Sequence, residues 1–282
     1  DRARNLASTV DAAPAADPHR ILCVTHASVP DQTGGYAIRA HGILKSLRQA
    51  GVQITAATRP GFPVGALTEP TTDVVEYVEY QRLAATEVTR NHGEIRYMMS
   101  FIEPFKELFT EHGTGIVHVR STFLIALPAL IAAHELGIKV LYEVSGLWEL
   151  VYQDREHASH LLKRSSFAEL AETLTMTGAD QLIVMNEAVR QIAMDRGVQR
   201  DRIQVAPNAV NIDSFTPLPH PDNEVFTIGY LGSFQDYEGL EDIIDAVKVL
   251  RAKGLQVRVR MVGDGLQYGV IRSRIKNEHL DE

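Results

Sequence analysis

Short apolar runs, many of them β-branched, return at intervals along this chain between longer stretches with helical spacing. That alternation constrains the fold more than any other feature. The runs are ILCVTH, VQITAAT, GIVHVRS, IKVLYEV, DQLIVMN, RIQVA, FTIGYLG and QVRVRMVGD. Strands that are apolar along nearly their whole length are covered on both faces, and strands that alternate with helices join in parallel through crossovers. The expectation is an α/β protein built on parallel sheet. The strand from Ile116 leads to a helix near Phe123 to Leu136, then to GIKVLYE, then to a long helical region from about Glu149 to Thr177, which is βαβ wiring.

Two segments echo each other: LRQAGVQIT at Leu47 to Thr55 and LRAKGLQVR at Leu250 to Arg258 each end a helix with a glycine and restart a strand. Two readings are open. The echo is either the shared grammar of a glycine helix cap or the first βαβ unit of two separate doubly wound domains. Between them lies APNAVNIDSFTPLPHPDNE, rich in Pro and Asn and without period. The expected division is a flexible segment at 1–19, a first doubly wound domain at 20–205, a linker at 206–224 and the first part of a second such domain at 225–282. That last part holds only strand, helix, strand and the start of another helix. The expectation is that the natural chain continues past Glu282 or that this is a fragment.

Composition removes several function classes. A formal charge of −8 over 282 residues argues against a protein that lives on nucleic acid, since phosphate neutralisation needs a basic face. The single cysteine, Cys23, lies in an apolar strand and reads as a buried structural thiol, which fits a reducing, cytoplasmic setting. No apolar run approaches the roughly 18 residues of a membrane span; the longest, FLIALPALIAA at Phe123 to Ala133, reads as a core helix. The first nineteen residues read as a linker or trimmed end. There is no G-x-x-x-x-G-K-[ST], and no G-x-G-x-x-G follows the first strand, so P-loop and nicotinamide chemistry have no support. His157 and His160 in HASH lack a third ligand at metal spacing. The basic pair in KRSS, Lys163 to Ser166, gives at most a weak peripheral contact at the inner membrane face.

The stretch TGGYAIRAHGIL follows the first strand and places Gly34 and Gly35 where a helix begins. Amides at a helix start point outward with the positive end of the dipole, and glycine lets an anion come close. The alternative is that the pair only shapes a turn.

Together TGGYAIRAHGIL, YEVSGLWE, ADQLIVMNEAV, PNAVNIDSFTP, GYLGSFQDYEGLEDIIDAV and MVGDG resemble the family-four retaining glycosyltransferases of the GT-B fold, in the family's order from about Arg20 onward. The resemblance implies two Rossmann-like domains facing across a cleft, the second incomplete in this chain. It implies a nucleotide-diphosphate-sugar donor, an acceptor hydroxyl on a glycan or lipid-linked molecule, a role in polysaccharide biosynthesis, and no metal or other cofactor. Gly34 and Gly35 match the loop that lies against the donor's diphosphate and sugar, with Tyr36 and Arg39 as substrate-binding positions beside them. Arg120 stands where relatives often carry a histidine that contacts the transferred sugar, and with Glu143 it is the expected catalytic pair. In YEVSGLWE, Ser145 replaces the arginine of many relatives, and Ser145, Trp148 and Glu149 are expected to meet substrate: a ring stacks on sugar C–H faces while carboxylates accept hydroxyl protons.

On the donor side the resemblance implies nucleotide-binding positions at Gly232, Ser233 and Glu238, of which Ser233 and Glu238 stand where relatives usually place cations. Phosphate charge must then be met elsewhere, with Arg120 and Arg39 as candidates. Asn186 and Asn208 are expected to be structural. The family's paired glutamates, eight apart and late in the second domain, would lie past Glu282, so these residues alone are expected not to bind donor tightly. Two rival readings stay open: a catalytically inactive GT-B-like glycan-binding or partner subunit, and a nucleotide-sugar epimerase of the same fold.

Overall fold

One sheet of eight strands organises the longer of two compact units in a computed structural model that describes residues 17–63, 69–150, 159–217 and 225–280. The division between the units falls between Ala209 and Val210. The first unit runs β1 (Asp17–Thr25), α1 (Gly35–Gln49), β2 (Ile54–Thr58), β3 (Thr71–Val75), β4 (Val78–Arg82), α2 (Glu94–Met99), α3 (Ile102–Glu111), β5 (Thr114–Arg120), α4 (Phe123–Glu135), β6 (Lys139–Val144), α5 (Ser159–Gly178), β7 (Gln181–Val184), α6 (Glu187–Asp195) and β8 (Ile203–Val205). The strand order is β3-β4-β2-β1-β5-β6-β7-β8. Every pairing is parallel except β3 with β4.

The sheet is covered on both faces, as its apolar strands require. On one face Leu22, Val24, Val117 and Val119 pack with Phe105 of α3 and Ala129 of α4. On the other, Cys23, Ile54 and Ala56 pack with Leu44 of α1 and with Tyr80. Cys23 is a free, buried thiol. Nine residues of α4 are buried, which makes the FLIALPALIAA run a core helix. Among the described residues no helix is long and apolar enough to cross a membrane.

β1 begins at Asp17, three residues before the expected start of ordered chain. Its register on β5 shifts between Asp17 and Ile21, and there a Cβ on Gly115 would lie 2.0 Å from the Asp17 carbonyl. Only glycine fits that approach.

The hairpin of β3 and β4 has no counterpart among the expected strands. Its turn uses Glu76 and Tyr77, both with positive φ, in place of an Asn-Gly pair, and four of the five β3 residues are exposed. The long helix is described from Ser159; the start expected at Glu149, and His157 of HASH, fall partly or wholly outside the described residues.

The echo between Leu47 and Leu250 is a shared cap. Gly51 (φ 86°) donates its amide to the Arg48 carbonyl while Val52 donates to Leu47, and Gly254 (φ 77°) and Leu255 repeat this on Arg251 and Leu250. The same pair of bonds closes α4 at Gly137 and α6 at Gly197. Each echo also feeds a parallel strand. In the second unit β9 (Phe226–Leu231), α7 (Leu240–Ala252), β10 (Val257–Val262) and α8 (Tyr268–Asn277) follow in order, with β10 parallel to β9. Phe234, Leu240, Ile244 and Ile271 form its core.

Candidate active site

The glycine turn stands free of its own protein. Gly34, the residue before α1, has φ −67° and ψ 160°, an extended conformation open to any residue, and a Cβ on Gly34 or Gly35 would meet nothing within 4 Å. Neither backbone strain nor packing among the described residues therefore demands glycine here. No side chain caps the helix start, so its first amides keep their donor capacity.

Tyr36 fastens this turn to the sheet. Its hydroxyl accepts the His26 amide at 3.0 Å and donates to the Arg120 carbonyl at 3.0 Å, joining the end of β1 to the end of β5. Burial holds that hydroxyl protonated by pushing its pKa above the usual phenol range. Tyr36 thus acts on backbone and positions the turn; its hydroxyl is not turned to solvent. Arg39, one turn along α1, is half-buried with its Nε unpartnered among the described residues.

Arg120 is the last residue of β5 and is paired in register with Glu143 of β6. Its side chain is 2% exposed, and its Nη1 donates to Glu143 Oε2 at 2.5 Å. His118, two residues earlier on the same face, meets the same oxygen at 3.0 Å. Burial opposes charge on His118, but the adjacent Cys23 sulfur and the Glu143 carboxylate outweigh it and push its pKa up to about 9. For Glu143, burial is likewise overcome by His118 and Arg120, which hold its carboxyl below the ordinary value. Arg120 and Glu143, expected as a catalytic pair, are brought together. The Arg120 charge, however, is already engaged by Glu143, so it is not a free cation for phosphate.

Past the end of β6 the expected substrate residues separate. Ser145 donates its amide to Ser121 Oγ at 3.2 Å, and its own hydroxyl is buried without a partner among the described residues. Trp148 is 39% exposed, as a stacking surface must be. Glu149 is buried and its Oε1 accepts from Arg196, the residue just past α6, so its carboxylate serves an internal ion pair and does not face sugar hydroxyls. Tyr142 donates to Glu172 of α5, whose carboxyl is raised by burial to about 8. Asn186 caps α6 by accepting the Val189 amide at 2.9 Å, the structural role expected of it.

In the second unit, Ser233 Oγ donates to Glu238 at 3.2 Å, and the Gly232 amide donates to the Val262 carbonyl at 3.1 Å. A Cβ on Gly263 would lie 1.8 Å from the Gly232 carbonyl. The glycine of MVGDG therefore serves the packing of two loops against each other. No group of three possible metal ligands occurs among the described residues.

Sequence reasoning missed the Tyr36 bridge and the His118 contact. A tyrosine beside a glycine pair carries no signal for a bond 84 residues away; His118 could have been found from its i, i+2 spacing to Arg120, which puts both on one face of a strand.

Residues 34–209 match the Glycosyl transferase 4-like domain family. Among solved structures, the apo form of the lipopolysaccharide outer core galactosyltransferase WaaB superposes with a TM-score of 0.60 at 14% identity, over 93% of this chain and 66% of that one. Anabaena HepE in complex with UDP-glucose gives 0.63 at 12%, over 93% and 67%. The UDP-GlcNAc 2-epimerase from Methanocaldococcus jannaschii gives 0.53 at 13%, over 93% and 69%. The chain spans about two thirds of the length of these structures. No curated protein matches it in sequence. At these identities the likeness concerns the fold, which is α/β with a mostly parallel sheet, of the GT-B glycosyltransferase type. By its match over residues 34–209, the chain belongs to the Glycosyl transferase 4-like domain family.

Proposed function

We propose that this chain is part of a retaining glycosyltransferase that moves a sugar from a nucleotide-diphosphate-sugar to a hydroxyl of a glycan or lipid-linked acceptor. The observation that carries the reading is the glycine turn at the start of α1. Nothing among the described residues requires glycine there, no side chain among them caps its amides, and Tyr36 holds it beside the Arg120 carbonyl. A ligand lying against the turn supplies the missing reason. UDP-glucose is the ligand of Anabaena HepE, and ADP with acarbose that of Arabidopsis thaliana Starch Synthase IV, two structures of similar fold.

In this reading no side chain attacks the sugar. The acceptor hydroxyl approaches from the face the nucleotide leaves, and the rate comes from holding the two substrates together and from amides and cations aimed at the departing diphosphate. With Arg120 engaged by Glu143, the α1 amides and Arg39 carry that task, while the Arg120–Glu143 pair and Tyr36 fix the edge of the sheet beneath the sugar.

The test exploits the open space at the turn. Gly34→Ala is expected to keep the wild-type melting temperature, because the added methyl meets no atom and φ is ordinary. Acceptor-dependent release of nucleoside diphosphate should nonetheless drop by roughly tenfold or more. Unchanged turnover would remove the turn from the donor site, and an inverted anomeric centre in the product would end the retaining assignment.

The likeness to the Methanocaldococcus jannaschii epimerase favours a second reading on the same fold. An epimerase converts the nucleotide-sugar with no acceptor present, whereas a transferase releases nucleoside diphosphate only when an acceptor is supplied.

A further inference from the structure

Arginines in the first unit fall into two kinds. Arg82, 1% exposed, is fully matched: it meets Asp73 at 2.8 Å, Asp31 at 3.6 Å, Ser28 Oγ at 2.6 Å and the Val29 carbonyl at 3.2 Å. Arg59 and Arg90 are not. Arg59 Nη1 donates to the Pro60 carbonyl and to the Tyr97 hydroxyl, both at 3.2 Å, and its guanidinium stands 5.6 Å from the Phe62 ring. The Arg90 guanidinium stands 5.6 Å from the ring of the same Tyr97. Two cations thus converge on one tyrosine, and neither forms a salt bridge among the described residues.

His26 completes the group. The Arg59 amide donates to the Thr25 carbonyl at 3.0 Å, extending the register of Thr25 with Thr58, so His26 and Arg59 are adjacent beyond the ends of β1 and β2. His26 Nδ1 and Arg59 Nε are both buried without a hydrogen-bond partner among the described residues. The crowding of charge is felt: burial first, then Arg59 and Arg90, lower the His26 pKa to about 3, and Arg90 adds to the burial that lowers Arg59. Arg59 is half-buried and Arg90 exposed, and a half-buried cation with no ion pair is costly to keep. They stand where open parallel sheets receive ligands, outside the carboxyl ends of the strands.

We propose that Arg59, Arg90 and His26 form a receptor for a phosphate ester carried by the acceptor. A phosphate monoester brings close to two negative charges, matching two guanidinium groups, whereas one carboxylate leaves a cation unmatched. Guanidinium forks pair with its oxygens, and the neutral imidazole offers a further hydrogen bond. The proposal rests on the transferase reading only in calling the bearer of the phosphate an acceptor; anion binding stands apart from it.

The experiment titrates the full chain with methyl phosphate, followed by phosphorus NMR, and in parallel measures co-sedimentation with phosphatidylcholine vesicles containing phosphatidic acid. Wild-type protein is expected to bind methyl phosphate, Arg59→Gln with Arg90→Gln to bind about tenfold more weakly or worse, and Arg59→Lys with Arg90→Lys to bind between the two, keeping the charge but losing the forks. Should the double glutamine variant fail to fold by circular dichroism, Arg90→Gln alone, at an exposed residue, keeps the comparison. Binding to vesicles that the glutamine variant loses assigns a lipid-borne phosphate; binding to methyl phosphate alone assigns a soluble one. No binding by the wild type, or equal binding by the glutamine variant, overturns the proposal. If methyl phosphate binds as expected but no nucleotide-sugar releases nucleoside diphosphate with any acceptor, the transferase reading fails while the receptor stands.

Discussion

The same sheet presents two arginine–histidine groupings with opposite electrostatics. Around Glu143, Arg120 and His118 share one carboxylate oxygen, and the histidine is raised to about 9. Around Tyr97, Arg59 and Arg90 lie close to His26 with no ion pair to either arginine among the described residues, and the histidine is lowered to about 3. Both histidines are buried, so burial alone predicts that both fall. The Cys23 sulfur and the Glu143 carboxylate beside His118 decide the difference, and Glu143 engages both basic side chains in a knot where Arg59 and Arg90 have no ion pair among the described residues.

The largest expected effect comes from breaking the knot. Glu143→Ala leaves Arg120 buried without its partner and should cost about 3 kcal/mol of unfolding free energy in urea titrations. In the same variant the His118 pKa should fall below its value of about 9 in an NMR titration. A smaller effect follows from pH. The folded His118 pKa lies above the unfolded value, so its contribution is fully present below about pH 6.5 and is lost as pH rises through about 9. The melting temperature of the wild type should fall across that window, and that part of the slope should vanish in His118→Gln.

Next, Tyr36→Phe strips a shared hydroxyl from the His26 amide and the Arg120 carbonyl, at a cost of about 1–2 kcal/mol. The smallest effect is expected in the other grouping. Arg59→Gln removes a cation that repels Arg90, so lost ring contacts and relieved repulsion oppose each other and the change should stay within about 1 kcal/mol. A loss there as large as that of Glu143→Ala would erase the distinction between knot and receptor.

Much of this frame is legible in the residues. All eight expected runs are strands, because continuous apolarity survives any local context when a strand is covered on both faces. The hairpin of β3 and β4 escaped because β3 is exposed, β4 is short and buries an arginine, Arg82, in place of an apolar residue, and the Glu76–Tyr77 turn carries no glycine signal; the turn is held from outside, by Lys45 and His41 of α1 on the Glu76 carboxylate at 2.8 and 3.3 Å. At the site, the pairing of Arg120 with Glu143 follows from two strands ending side by side. The burial of Glu149 against Arg196 does not, since its partner lies 47 residues later, at the end of α6. Unpaired Arg59 and Arg90 are invisible for a related reason. A sequence shows where charges are, and only the fold shows which of them lack a partner.

The shared oxygen of Glu143 also governs how this chain can drift. With two basic side chains leaning on one acid, replacing the acid first passes through a weakened intermediate, and replacing Arg120 first leaves His118 to hold the carboxylate alone. Substitutions at 118, 120 and 143 should therefore be strongly epistatic in a combinatorial library: survivors should arrive as matched sets, with the acid lost only after, or together with, both of its basic neighbours.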